Sequence, residues 1–97
     1  MASVKLQKQY EGKTDMEIYA ALKPAIANMG FSVWKTRDLA RLVLSTGTVD
    51  GQEVRLNVVI SMVDGSATAS AESDDLDEAA LKPIPEKFHE ELGKLLA

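Results

Sequence analysis

The run Glu53-Val54-Arg55-Leu56-Asn57-Val58-Val59-Ile60-Ser61-Met62-Val63 constrains the fold more than any other part of the chain. Val54, Leu56, Val58, Ile60 and Met62 alternate with Arg55, Asn57 and Ser61. A side-chain period of two in residues that favour extended backbone predicts a strand with one buried face. Asp50-Gly51 precedes this run and Asp64-Gly65 follows it. An Asp-Gly pair between apolar alternations is a strong hairpin signal, so the strand is expected to have an antiparallel neighbour on each side.

A chain of 97 residues has room for one domain with a modest core, and 1–97 reads as a single α+β domain. No apolar run approaches the ~20 residues that cross a bilayer, and Met1-Ala2-Ser3-Val4-Lys5 leads straight into a strand-like pattern instead of a signal peptide. The absence of cysteine excludes disulfides, thiolate metal sites and thiol catalysis, and a cytoplasmic location is the default expectation. The formal charge of −4 is uneven: from Glu72 onward eight carboxylates face three lysines, a local −5. An acidic chain with no basic run argues against general nucleic-acid binding, whose affinity comes mostly from Lys and Arg at phosphates.

Upstream of the central run, Ser3 to Tyr10 alternates, with Val4, Leu6 and Tyr10 on one side and Lys5, Gln7 and Gln9 on the other, interrupted by Lys8. Thr14-Asp15-Met16-Glu17 matches a capping box, and Ile18, Leu22, Ala25, Ile26 and Met29 follow at helical spacing. A helix over about 15–29 is predicted, interrupted by Pro24 and closed by Gly30. Phe31 to Lys35 reads as a second strand, with Phe31 and Val33 inward. Ala40 to Thr48 reads as a third, with Ala40, Leu42 and Leu44 inward and Arg41, Val43 and Ser45 outward. Ser66 to Ser73 reads as a fifth strand with Ala67, Ala69 and Ala71 on its inner face. Ser73-Asp74-Asp75 suits a helix start, with a short helix over about 76–81 and another from Pro85, whose apolar stripe is Ile84, Phe88, Leu92, Leu95 and Leu96.

The order is thus β-α-β-β-β-β-α, and a five-stranded antiparallel sheet with the helices on one face buries both apolar stripes against one row of strand residues. This element order resembles that of TATA-box-binding-protein-like and helix-grip folds. The resemblance covers the whole chain, carries no shared motif and implies no residue roles.

No residue pattern points to chemistry. His89, the sole histidine, has no cysteine or second histidine to share a metal with and reads as a partly exposed helix residue beside Phe88. The Asp74-Asp75-Asp77-Glu78 cluster lacks the spacing of a calcium loop and reads as helix capping. No glycine-rich phosphate loop and no serine with a partnered base is present. No enzyme activity, cofactor or metal is therefore expected. Two surfaces remain. If Phe31 and Val33 point inward, Trp34 points outward beside Lys5, Arg41, Val43, Arg55 and Val59, and Trp34, Arg41, Val43, Arg55 and Val59 would make an interface for a protein partner or a second copy. Alternatively, the small inward side chains Ala67, Ala69 and Ala71 leave room for a small apolar ligand between sheet and helices, as the helix-grip resemblance implies.

Overall fold

The computed structural model describes residues 2–61 and 63–97; the sequence reading of Met62 as an inward strand residue lies outside them. The elements in chain order are β1 (Ala2–Gln9), α1 (Asp15–Asn28), β2 (Ser32–Arg37), β3 (Leu42–Val49), β4 (Gln52–Ile60), β5 (Ser66–Ser73), α2 (Glu78–Leu81) and α3 (Pro83–Leu96). Among the described residues the strands form one antiparallel sheet in the order β1-β5-β4-β3-β2. The α+β class and the order read from the sequence are those observed.

Local chemistry explains the elements. Asp50 and Gly51 both take positive φ, 52° and 79°, between the paired Val49 and Gln52, which closes β3 and β4 as a two-residue hairpin. At the other end of β4 the turn is longer: Ser61 N–H donates to Ser66 O, and the Asp64 carboxylate accepts from Ser66 N–H. That second bond holds the Asp64 carboxyl below its ordinary pKa. The Thr14 hydroxyl accepts from Glu17 N–H at the start of α1, and Gly30, at φ 82°, ends the segment. Asp77, not Ser73 to Asp75, caps the short α2 by accepting from Ala80 N–H, so that helix starts two residues later than the sequence suggests. Ser73 instead ties β5 to β4, donating to Glu53 O while accepting from Asp75 and Leu76 N–H.

α1 lies against β2, β3 and β4, α3 lies against β5 and β1, and the two helices touch each other. Ile18, Leu22, Ala25 and Ile26 of α1 meet Ile84, Phe88 and Leu92 of α3 over the inner row Leu56, Val58, Ile60, Ala67, Ala69 and Ala71. Leu95, expected in that stripe, is 43% exposed, whereas Leu96 packs against the core.

The register of β3 is the opposite of the sequence reading. Val43 pairs with Val58 and Ser45 with Leu56, both facing the core, whereas Leu42 and Leu44 pair with Val59 and Asn57 on the outer face. Two contacts outweigh the larger hydrophobicity of leucine. The Ser45 hydroxyl is buried but donates to Leu56 O at 2.7 Å, which removes the cost of its burial. Small side chains are also needed on this row: a Cβ at Gly47 would lie 2.6 Å from the Phe31 ring, so glycine is what lets Phe31 lie on the strand.

Candidate functional site

Pairing fixes which residues share the outer face. The β2–β3 register slips between Val33 and Lys35, leaving Trp34 as the extra residue of a bulge. Trp34 is 61% exposed while Val33 packs against the core, so the indole stands outside the sheet as the alternation implied. Lys35 pairs with Leu44 and Arg37 with Leu42; Leu44 continues to Asn57, and Leu42 to Val59, which is 41% exposed. Beyond these lie Thr68 and Ser70 of β5, opposite Val59 and Asn57.

Of the five residues the sequence assigned to this surface, Trp34, Arg55 and Val59 are on it. Val43 is not: it is fully buried on the inner face. Arg41 is not either. It precedes β3 with φ 51°, and its guanidinium turns to the start of α1, bonding Asp15 at 3.2 Å and the Asp38 carbonyl and sitting over the Tyr19 ring. The left-handed backbone at Arg41 is the turn that inverts the strand register. Leu42 and Leu44 take the places expected for Arg41 and Val43, so the face is more apolar than the sequence reading gave. The local signal for this was weak, because residues 40–45 carry apolar side chains at both parities.

Charge is ordered across this apolar row. Lys35 and Arg37 lie on the β2 side. On the β4–β5 side Arg55 is ringed by Glu53, Glu72 and Asp74 at 3.7, 3.3 and 3.4 Å. Three carboxylates around one guanidinium leave that strip acidic, and the Glu72 bond is the main reason the Arg55 pKa is raised. A polar notch of about 370 Å³, lined by Gly30, Ser32, Thr46, Gly47, Thr48 and Glu53, opens where β2 begins.

The other surface expected from the sequence, a space beneath the alanines, has a different character. Ala67, Ala69 and Ala71 are fully buried between Lys8, Leu6 and Val4 of β1 and Ile60, Val58 and Leu56 of β4, with α3 packed over β5. They line neither the notch nor the second concavity, of about 280 Å³, at the β1 edge.

His89 is 3% exposed, not partly exposed as its place on the helix suggested. Its Nε2 lies 2.9 Å from Leu6 O and its Nδ1 2.6 Å from the Tyr10 hydroxyl. A carbonyl only accepts, so Nε2 carries the proton and Nδ1 accepts from Tyr10. Both nitrogens are thus engaged within the fold. Burial pushes the His89 pKa below its ordinary 6.5, with the Leu6 bond opposing and the Lys8 charge reinforcing, and burial pushes the Tyr10 hydroxyl up to about 12. A depressed histidine pKa means the unfolded chain takes up the proton first, so this contribution to stability is complete above pH 6.5 and is lost as pH falls from 6.5 through the depressed value. Melting temperature is expected to decline from about pH 6.5 to the onset of carboxylate titration near pH 5, and His89→Gln, which keeps a donor for Leu6 O, should flatten that slope. Equal slopes in the two proteins would show that His89 is not the group responsible.

Among the described residues no three His, Asp or Glu side chains sit together as a metal would require, and no helix is long and apolar enough to cross a membrane. No protein-family profile matches the chain and no curated protein matches it.

Proposed function

We propose that this protein is a non-catalytic interaction module that pairs with a second copy of itself through the outer sheet face. The observation that carries the reading is the sequence of strips across that face: basic at Lys35 and Arg37, apolar at Trp34, Leu42, Leu44 and Val59, acidic around Glu53, Glu72 and Asp74. A two-fold axis running along the strands between β3 and β4 lays Leu42 over Val59 and β2 over β5, with Lys35 above Ser70 and two residues along the strand from Glu72. Such an arrangement is self-complementary, as an isologous dimer requires. A half-exposed tryptophan among leucine and valine is the composition of an interface centre.

Sedimentation equilibrium tests this. The wild type should be a dimer. Trp34→Lys should weaken association by at least ~30-fold, the loss expected for a central tryptophan worth ~2 kcal/mol. Lys35→Glu with Arg37→Glu should weaken it as well, and added salt should weaken the wild type. A wild type that stays monomeric at millimolar concentration, or a Trp34→Lys dimer as tight as wild type, overturns the proposal.

A further inference from the structure

β1 is the edge of the sheet at which α2 and α3 stand, and its outer flank holds the concavity of about 280 Å³ lined by Val4, Lys5, Leu6, Lys82, Pro85 and Glu86. The direction of its backbone groups follows from the ladder. Ser61 N–H donates to Ser66 O, so the even residues of β5 bond β4, and Ala67, Ala69 and Ala71 turn their backbone groups to Lys8, Leu6 and Val4 of β1. Backbone groups alternate along a strand, so the amide and carbonyl of Lys5 point off the sheet, into this groove. Among the described residues neither has a hydrogen-bond partner outside the sheet. An unpaired strand edge beside an apolar recess is the geometry in which an extended peptide adds a further strand: the main chain supplies hydrogen bonds and alternate side chains enter the recess.

Charge selects the occupant. The groove carries two exposed ammoniums, Lys5 and Lys82, against the one carboxylate of Glu86, and Lys8 follows on the same strand. This is a basic edge on a chain of charge −4. A second copy does not suit it, because β1 would bring its own Lys5 and Lys8, and the opposite edge, β2, carries Lys35 and Arg37. We infer that the β1 edge is an acceptor for a short, extended, acidic segment of another protein, with one apolar side chain seated against Val4, Leu6 and Pro85 and carboxylates at Lys5 and Lys82. The segment is short because the groove spans only Val4 to Leu6 of the strand. This site lies at the far edge of the sheet from Trp34 and does not depend on the outer-face dimer.

The probe is a fluorescein-labelled octapeptide of alternating Leu and Glu, titrated with the intact protein by fluorescence anisotropy, beside the same peptide with Lys for Glu. Saturable binding of the Leu-Glu peptide and none of the Leu-Lys peptide is expected, weakening as salt is raised. Lys5→Pro removes the amide that faces the groove and leaves the β5 ladder intact, and proline is tolerated on that side of an edge strand. It should weaken binding by about 10-fold more than Lys5→Gln does, the effect of one lost backbone hydrogen bond. Lys5→Glu with Lys82→Glu, both exposed, should abolish binding, and this pair decides the matter if Lys5→Pro does not fold. Trp34→Lys should bind like wild type. The inference is overturned if the Leu-Glu peptide does not bind by millimolar protein, if the Leu-Lys peptide binds equally, or if the double lysine variant binds unchanged.

Discussion

Cutting the chain before Pro83 is expected to abolish cooperative unfolding altogether. α3 contributes Ile84, Phe88 and Leu92 to the core, all essentially buried. At ~1.5–3 kcal/mol for each large apolar side chain removed from water, their loss amounts to about 5–9 kcal/mol. A domain of this length has ~5–15 kcal/mol in all. The deletion also uncovers the inner sides of β5 and β1, where Ala67, Ala69 and Ala71 have no bulk to cover themselves, and it releases Leu6 O and the Tyr10 hydroxyl from His89. Far-ultraviolet circular dichroism against temperature gives the outcome. A truncated protein that melts in a single sharp transition near the wild-type temperature would show that the sheet and α1 are self-sufficient.

That helix was legible in the sequence because its stripe repeats at three and four residues with charges between, so a single pattern fits it. β4 was legible for the same reason at period two, and Asp50-Gly51 fixed its hairpin because few residues other than glycine and asparagine-like ones accept two successive positive φ values. β3 was not. With Leu42, Val43 and Leu44 in succession, either parity offers an apolar row, and the choice depends on contacts remote in sequence: Ser45 on Leu56 O and Gly47 beneath Phe31. Three consequences for the outer face follow from that single inversion, namely Val43 inside, and Leu42 and Leu44 outside. Arg41 was misplaced by its own left-handed backbone, for which arginine gives no local warning. Trp34 faced outward as read, although the bulge that holds it was not legible, since a bulge is a property of the pairing and not of either strand alone. His89 was misjudged because Lys87, Glu90 and Glu91 surround it in the chain, while its partners, Leu6 and Tyr10, lie 83 and 79 positions away. The charge strips and the β1 groove likewise exist only once strand order brings distant segments together.

Phe88→Ala is the point substitution with the largest expected effect, a loss of ~3–5 kcal/mol. Phe88 is fully buried and the first in size among the side chains that are, and it belongs to the helix that covers the alanine-lined strand. The three alanines are what allow α3 to approach, so a truncated ring leaves a void that small neighbours cannot collapse to fill. Protein interiors are close-packed, and the same argument predicts that Ala69→Leu in the intact core costs ~1–3 kcal/mol through overpacking. The two changes together should therefore cost less than their sum, because the added isobutyl group occupies part of the volume the ring gave up; a favourable coupling of about 1 kcal/mol or more is expected of residues that share a space. Urea denaturation of the wild type, the two single variants and the double variant measures this coupling. Additive losses would mean that α3 does not press on Ala69. If Ala69→Leu alone raised stability and displaced an apolar dye from the wild type, the space over the alanines would be a ligand cavity, and the domain would be a small-molecule binder in place of a protein-pairing module.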